Sequence, residues 1–326
     1  MKTLMKIKTL DLFAGIGGMR IASEKAAKSL KLQHECVMAC EIDKYASQTY
    51  IKNFPNTYMT QDIEYFDTKK KIKEFIPNHD LLLAGFPCQP FSRAGLKKGF
   101  KDTRGTLFHY IAEILKYKKP KSFILENVRG LKEHDKGKTL KIILSVLSKD
   151  YYVPEPQILN AKDFGLPQNR ARIFIVGIRK NLKKNYEYKF PLGSKKITQI
   201  KDILEKRVNK SFQISEKLWD SHQKRKEKNL RNGKGFGFSL FTGNDKHTRT
   251  LSARYNKDGS EILIKTNQLP RKLTPRECAN LQGFPKSFKI ISSNAQSYKQ
   301  FGNSVPVNVV NKICYNLLSY LYFDKR

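Results

Sequence analysis

The stretch Asp11-Leu12-Phe13-Ala14-Gly15-Ile16-Gly17-Gly18 decides the fold of this chain. The apolar run 7–13 predicts a buried strand, and the amphipathic run 20–30 that follows the stretch predicts a helix. Its glycines allow a tight turn and let the backbone approach a ligand closely. The stretch therefore indicates the strand–turn–helix corner of a nucleotide-type site. An ordinary structural corner and a nicotinamide site remain alternatives at this point.

Short apolar runs alternate with longer amphipathic runs from residue 7 to about 180. This alternation predicts an α/β fold with a doubly wound sheet. The predicted strands are 7–13, 35–41, 81–84, 122–126, 151–160 and 172–178, and the predicted helices include 20–30, 44–53, 106–116 and 139–149.

The composition changes after Pro191 and Gly193, where a Lys-rich and Gly-rich region with weak periodicity begins and runs to about residue 299. The last stretch, 304–322, returns to a helix-like apolar pattern. We therefore predict one large α/β domain over 1–190, completed by 300–326, and a smaller basic domain over 191–299.

The charge balance points to a polyanion as partner. The 326 residues carry 63 Lys and Arg against 29 Asp and Glu, a formal net charge of +34, and nucleic acid is the natural polyanion. No apolar run is long enough for a membrane span. The five cysteines are odd in number and lack paired spacing, so we predict no metal site and a reduced, cytoplasmic protein.

Two acidic positions downstream of the glycine turn fit a nucleotide-type cofactor. Glu41-Ile42 stands where a carboxylate binds ribose hydroxyls, and Asp62-Ile63 is well placed for an adenine amino group. The order Phe-x-Gly-x-Gly, then Glu, then Asp-Ile favours S-adenosyl-methionine over a nicotinamide cofactor.

Three further motifs carry reactive side chains. Cys88 follows the predicted strand 81–84 between two prolines, where α/β sheets place their chemistry. Glu126 ends another strand, and a buried glutamate there would be costly without a task. The motif Gln168-Asn169-Arg170-Ala171-Arg172 precedes a strand and places two arginines on one face.

Together these motifs resemble the cytosine-5 DNA methyltransferases of bacterial restriction-modification systems. The resemblance covers nearly the whole chain in the family's motif order. The motifs lie in order at 11–18, 41–43, 62–63, 85–92, 102–108, 125–128 and 168–172, followed by a late structural motif at 271–279 with 282–285 and a C-terminal motif at 300–306. It implies a Rossmann-like S-adenosyl-methionine-dependent fold with a mixed sheet and a smaller, basic target-recognition domain.

The resemblance also implies roles for single residues. Cys88 is the nucleophile that adds to carbon 6 of cytosine, and Glu126 binds and protonates N3. Arg172 holds O2 and orients Glu126, with Arg170 as a lesser helper, while Ser92 and the loop 93–99 form a lid over a flipped-out base. The implied cofactor residues are Phe13, Gly15, Gly17, Gly18, Glu41, Ile42, Asp62, Ile63, Pro87, Leu107, Asn303 and Ser304. The product would be S-adenosyl-homocysteine.

The basic region 191–299 is expected to bind double-stranded DNA. Its basic side chains would grip phosphates, and the segment 249–255 would read bases, with Arg254 as the best single candidate for guanine. The implied DNA-binding residues are Lys224, Arg225, Arg249, Thr250, Leu251, Arg254 and Tyr255. Residues 235–238 and 248–264 resemble members whose short palindromic targets have the form CC, optional middle base, GG. CCGG is the first choice and CCWGG the second.

Rival interpretations differ in polymer or in class. A transfer-RNA cytosine methyltransferase would keep the same motifs, and a non-catalytic DNA-binding protein would keep only the fold. A nicotinamide-dependent oxidoreductase has no use for Cys88, Glu126 and Arg172 together. A cognate restriction endonuclease is a possible partner, and we expect the protein to act as a monomer.

Overall fold

A computed structural model describes residues 5–87, 106–193 and 198–323. Cys88, Ser92 and the predicted lid 93–99 lie outside these ranges. The chain forms two compact units. The first unit comprises Met1–Leu159, Ala171–Leu192 and Val309–Arg326, and the second comprises Asn160–Arg170 and Gly193–Asn308. Within the described ranges, no helix has the length and apolar character needed to cross a membrane.

A mixed β-sheet is the centre of the first unit. Its strands are β1 (Lys6–Leu12), β2 (Gln33–Cys40), β3 (Met59–Thr60), β4 (Leu81–Gly85), β5 (Ser122–Val128), β6 (Tyr151–Tyr152), β7 (Gln157–Asn160) and β8 (Ala171–Arg179). The order is β3-β2-β1-β4-β5-β8-β6, with β7 also paired to β8. Strands β1 to β5 are parallel, and β8 runs antiparallel to β5 and β6. This confirms the predicted doubly wound mixed sheet.

The strand order places a topological switch point between β1 and β4. From β1 the chain winds outward through β2 and β3, then returns to β4 on the other side. Ligands of open α/β sheets bind in the crevice outside the carboxyl ends of such strands. The glycine turn after β1 and the motif after β4 therefore both begin where the fold places a site.

Helices complete the first unit around the sheet. They are α1 (Gly18–Ser29), α2 (Lys44–Asn53), α3 (Lys69–Phe75), α4 (Leu107–Lys118), α5 (Lys138–Leu147) and the C-terminal α9 (Val307–Tyr322). Apolar side chains of the central strands, such as Leu10, Leu82 and Leu125, are fully buried against the helices. The predicted strand 151–160 is two strands instead, because Pro154 and Pro156 cannot donate to a ladder between them.

The second unit is poor in regular structure. It contains α6 (Glu216–Arg231), the short parallel strands β9 (Leu240–Phe241) and β10 (Leu263–Ile264), α7 (Pro275–Leu281) and α8 (Asn294–Asn303). Thr274 and Glu277 form a capping box at the start of α7. Glu277 is fully buried and pairs with Arg271 at 2.7 Å, so the charge is compensated inside the unit.

The boundaries of the units differ from the predicted domains at three places. Residues 160–170 and 300–308 belong to the second unit rather than the first, and residues 191–192 belong to the first rather than the second. The side chain of Arg170 contributes to this, because it donates hydrogen bonds to carbonyls of Leu251 and Gly302. The roles of the two units in catalysis and in target recognition stay predictions.

Candidate active site and recognition segment

The glycine turn after β1 has the backbone conformation that its sequence predicts. Gly15 and Gly17 have φ of 54° and 87°, a region that side chains rarely adopt. A Cβ at Gly17 would lie 2.5 Å from the Phe54 ring. The Gly15 N–H donates to Glu41 Oε2 at 2.8 Å, and Asp43 N–H donates to Glu41 Oε1 at 2.8 Å. The Glu41 carboxylate thus holds the turn after β1 to the end of β2.

The neighbouring residues offer the surface that an adenosyl cofactor needs. Ile42 is 73% exposed directly after Glu41, which leaves an apolar side chain for an adenine ring at the carboxyl edge of the sheet. Asp62 is exposed, and its Oδ1 accepts the Glu64 N–H at 2.9 Å. An apolar face beside two carboxylates and a glycine turn fits S-adenosyl-methionine.

The other predicted cofactor residues occupy different environments. Gly18 begins α1 and is buried, Leu107 begins α4 and is half-buried against the core, and Pro87 is exposed at the end of the described loop. Phe13 has φ of 54° and packs against the core. Ile63 is 5% exposed and belongs to the core, so its side chain supports Asp62 rather than offering a free surface. Asn303 and Ser304 lie in the second unit.

Asp11 is a buried carboxyl beneath the glycine turn, and the sequence motif gave it no role. Tyr50 Oη donates to Asp11 Oδ2 at 3.3 Å, whereas Oδ1 has no hydrogen-bond partner among the residues that the structure describes. Burial raises the pKa of Asp11 to about 8, against the opposing charge of Arg20 and with small contributions from Glu41 and Glu24. The side chain is therefore neutral over most of the physiological range.

We expect Asp11→Asn to remove a pH dependence of stability. Between its ordinary pKa of 3.8 and the folded value of about 8, Asp11 holds one more proton in the folded than in the unfolded state. Its contribution to the free energy of unfolding is full below this window and falls as pH rises through it. Urea unfolding from about pH 4 to about 8 should show the wild type losing stability relative to the variant. A pH-independent difference would contradict the assignment.

The sheet brings Glu126 and Arg172 together, as predicted. Glu126 lies on β5 and is 8% exposed, and Arg172 Nε lies 3.2 Å from Glu126 Oε1. The two strands are antiparallel neighbours, with Val128 opposite Arg172. Burial lowers the pKa of Arg172, and the charge of Glu126 opposes that shift. A buried, fixed carboxylate–guanidinium pair at the carboxyl end of β5 is suited to holding a polar planar ligand.

Asn127 connects this pair to the strand that precedes Cys88. Its Nδ2 donates to the Phe86 carbonyl at 2.9 Å, and Gly85 is paired with Glu126 across β4 and β5. The backbone leading into Pro87 is therefore fixed relative to Glu126. Sequence reasoning gave Asn127 no role, although its place directly after Glu126 at a strand end was the available signal.

Arg170 does not have the environment predicted for a catalytic helper. It is 2% exposed, and its guanidinium donates to the carbonyls of Leu251, Gly302 and Ser304 at 2.8, 2.8 and 2.7 Å. Arg172 is on β8, whereas Arg170 precedes that strand, so alternation along a strand does not place both arginines on one face. Arg170 therefore serves to hold backbone within the second unit.

Gln168 holds the same segment from the other side. Its Oε1 accepts the Leu251 N–H at 3.0 Å, and its Nε2 donates to the Leu281 carbonyl at 3.2 Å. A Cβ at Gly302 would lie 2.3 Å from the Ser252 carbonyl oxygen, so only glycine lets these backbones approach. The backbone N–H and C=O of Leu251 are thus both bound by side chains.

Several predicted DNA-binding residues are structural. Leu251 and Tyr255 are fully buried, and the Tyr255 hydroxyl donates to the Ile262 carbonyl at 2.6 Å, so neither side chain is available to a base. Arg225 donates to Asp258 at 2.9 Å and to the Gly237 carbonyl at 2.9 Å. The buried side chains of Leu251 and Tyr255 therefore lack the exposure that a base contact needs. A DNA contact by Arg225, whose side chain is 41% exposed, stays a prediction.

Other predicted DNA-binding residues face solvent. Lys224, Arg249 and Arg254 are exposed, and Thr250 is half-buried with its hydroxyl donating to the Asn169 carbonyl at 2.6 Å. Arg249 carries its guanidinium over the ring of Phe236, 4.5 Å from the centroid. Phe236 was singled out only as part of a Gly-rich stretch.

A sequence model of the family described as "C-5 cytosine-specific DNA methylase" matches residues 7–319. The chain belongs to this family. As a C-5 cytosine-specific DNA methylase it is an enzyme that uses S-adenosyl-methionine as methyl donor and DNA as substrate.

Curated relatives carry the same assignment. The chain is 49% identical to "Type II methyltransferase M.DsaV" of Dactylococcopsis salina, over 97% of this chain and 87% of that protein. It is 51% identical to "Type II methyltransferase M.NlaX" of Neisseria lactamica, over 94% of each. This methylase is therefore of the type II restriction-modification class.

Solved structures show the same fold. A DNMT2 variant of Spodoptera frugiperda superposes with a TM-score of 0.76 at 24% identity, covering 97% of this chain and 99% of that one. The methyltransferase EhMeth of Entamoeba histolytica gives a TM-score of 0.75 at 25% identity, covering 97% and 98%. The methylase thus shares the fold of these two solved proteins.

Proposed function

We propose that this methylase acts on a flipped-out cytosine through a covalent adduct with Cys88. The pair of Glu126 and Arg172, joined at 3.2 Å and nearly buried at the carboxyl end of the sheet, is the observation that carries the proposal. A carboxylate beside a guanidinium matches the N3, amino and O2 edge of cytosine, and a stacked base cannot reach such a crevice.

The chemistry assigns one task to each side chain. The Cys88 thiolate adds to carbon 6 while Glu126 gives a proton to N3, which makes carbon 5 nucleophilic. The cofactor supplies the methyl group as an electrophile on sulfonium sulfur. A water molecule then takes the carbon 5 proton, the 5,6 double bond re-forms as the Cys88 thiolate leaves carbon 6, and N3 returns its proton to Glu126. Arg172 binds O2 and keeps Glu126 oriented throughout. Ser92 and the loop 93–99 close over the base.

The cofactor is assigned to the glycine turn and the two carboxylates beside it. Glu41 binds the ribose hydroxyls, Ile42 packs on the adenine ring, and Asp62 accepts from the adenine amino group. The turn at Gly15 and Gly17 admits the amino-acid end because no side chain projects from it.

The target is proposed to be a short palindrome read by the second unit. CCGG is the first choice and CCWGG the second, on the resemblance of residues 235–238 and 248–264 to members with such targets. Exposed Lys224 and the other exposed basic residues of α6 bind phosphates, which gives affinity without sequence preference.

The biological setting follows from the class of relatives. We propose a cognate restriction endonuclease acting on the same site and a monomeric methylase. The four cysteines that the structure describes are free and buried, which fits the proposed cytoplasmic location.

Bisulfite sequencing tests this function. Plasmid DNA from cells lacking cytosine methylation, with and without expression of this protein, should differ at one short palindrome, with nearly every copy protected. The protected sequence decides between CCGG and CCWGG. Soluble protein that protects no plasmid cytosine but methylates transfer RNA would replace the proposed substrate.

A further inference from the structure

The arginines of the second unit fall into two groups. Eight arginines lie in this unit by sequence. Four of them donate hydrogen bonds inside the unit: Arg170, Arg225, Arg271 and Arg276. The other four, Arg207, Arg231, Arg249 and Arg254, are exposed. A residue that reads a base must come from the exposed group, because its donors must be available to the DNA.

Hydrogen bonds hold the backbone on both sides of Arg249. Thr248 N–H donates to the Pro167 carbonyl and Asn169 N–H donates to the Thr248 carbonyl, both at 2.9 Å. On the other side, Thr250 donates to the Asn169 carbonyl and Leu251 is bound by Gln168 and Arg170. The Cα of Arg249 therefore lies in a segment fixed on both sides.

Its side chain is also positioned. The guanidinium carbon lies 4.5 Å from the centroid of the Phe236 ring, and within the described part of this unit Arg249 is the one arginine stacked on an aromatic ring. A guanidinium stacked on a ring keeps its N–H groups at the edge, directed away from the ring. Phe236 is itself 37% exposed, so the stack lies at the surface.

The backbone that carries Phe236 is held by side chains of α6. Asn229 Nδ2 donates to the Phe236 carbonyl, and Arg225 donates to the carbonyl of Gly237 at 2.9 Å. A Cβ at Gly237 would lie 2.5 Å from Lys226 Cα, so glycine permits close packing on α6. Phe238 packs on Trp219, with 4.9 Å between the centroids. The stretch 235–238 is thus a fixed support.

We propose that Arg249, rather than Arg254, reads a guanine of the target site, and that Phe236 is the positioning residue that holds its guanidinium. The fixed planar edge donates two hydrogen bonds to O6 and N7 of guanine in the major groove. Preorganisation of the long side chain reduces the rotamer entropy lost on binding. This inference rests on the proposed function, in which the second unit recognises duplex DNA.

The test combines protein variants with single-atom changes in the DNA. Duplexes carry the bisulfite-mapped site with each guanine in turn replaced by 7-deazaguanine, which pairs normally but lacks N7. For wild type, one such position should lower kcat/KM about tenfold. For Arg249→Ala, kcat/KM on unmodified DNA should fall about tenfold to hundredfold, and 7-deazaguanine at that position should have no further effect. Arg249→Lys, which keeps the charge, should behave like the alanine variant.

Arg254→Ala is the matched control, because Arg254 is exposed in the same segment without an aromatic support. It should retain the wild-type sensitivity to 7-deazaguanine. Phe236→Leu should lower the ratio of kcat/KM on guanine DNA to kcat/KM on 7-deazaguanine DNA several-fold, through KM and with little change in kcat. Phe236→Tyr should restore this ratio. Competition binding of the same duplexes replaces kinetics for any variant too slow to assay.

The outcomes distinguish failure of the Arg249 assignment from failure of the proposed DNA methyltransferase function. Wild-type protein that methylates duplex DNA, with an Arg249→Ala variant that keeps every 7-deazaguanine effect, overturns the inference alone. Loss of that sensitivity in Arg254→Ala instead assigns the guanine to Arg254. Wild-type protein without activity on any duplex overturns the proposed function and the inference together.

Discussion

Cys88→Ala is expected to abolish methyl transfer while leaving cofactor affinity nearly unchanged. Without a thiolate no adduct forms at carbon 6, and carbon 5 of cytosine stays too weak a nucleophile for the sulfonium methyl group. The described chain reaches Pro87, directly before Cys88, and the carbonyl of Phe86 accepts from Asn127 at 2.9 Å. Asn127 directly follows Glu126, so the strand that precedes Cys88 is paired with the strand that carries Glu126.

Duplex DNA containing 5-fluorocytosine at the target position provides the measurement. Wild-type protein should form a covalent complex that survives denaturation, since fluorine at carbon 5 prevents elimination of the thiolate. The Cys88→Ala variant should form none, and titration of cofactor should give the wild-type dissociation constant. Cys314→Ala is the matched control, because Cys314 is free and buried in α9. Methyl transfer by Cys88→Ala would show that another residue is the nucleophile.

Glu126→Gln is expected to lower kcat by about 10²- to 10⁴-fold, the usual contribution of a general acid or base. Glutamine keeps the shape and one acceptor oxygen but cannot give a proton to N3 as the adduct forms. The charge of Arg172 would then lie nearly buried without its partner at 3.2 Å. Binding of cofactor should not change, because Glu126 is not among the residues assigned to it.

Single-turnover kinetics at saturating DNA separate this loss from a loss of binding. Glu113→Gln is the control, since it removes a more exposed carboxylate paired with Lys116 at 3.2 Å, and it should leave kcat within about twofold. Arg172→Lys should fall between wild type and Glu126→Gln, because an ammonium keeps the charge but not the fork geometry. A Glu126→Gln variant with near-wild-type kcat would remove Glu126 from the chemistry.

Much of the first unit could be predicted because its sequence signals are local. Buried parallel strands produce continuous apolar runs, and the turn at Gly15 and Gly17 needs glycine for its positive φ. The prediction of a single strand over 151–160 was wrong, because Pro154 and Pro156 prevent strand pairing despite the apolar pattern around them.

The site was predictable to the extent that its residues end strands. Glu41 and Glu126 follow this rule, and the structure brings Glu126 to Arg172. The environment of Arg170 could not be predicted in this way. Its partners are backbone carbonyls more than eighty residues away in sequence, and a periodic sequence pattern does not indicate such contacts. Leu251 and Tyr255 were taken for base contacts because the irregular segment around them carries no pattern that separates inside from outside.

The side chains that bind the backbone N–H and C=O of Leu251 limit how target specificity could be exchanged between relatives. Gln168 and Arg170 lie before β8, outside the stretch 191–299 that an exchange of specificity between relatives would naturally transplant. A chimera built on that stretch alone would combine the segment 249–255 of a relative with Gln168 and Arg170 of this protein. Gly302 adds a steric requirement, because it accepts only a loop whose backbone follows the path of Ser252. The residues to be exchanged together are therefore not one continuous stretch, because they include 160–170 and 302–304 as well as 191–299.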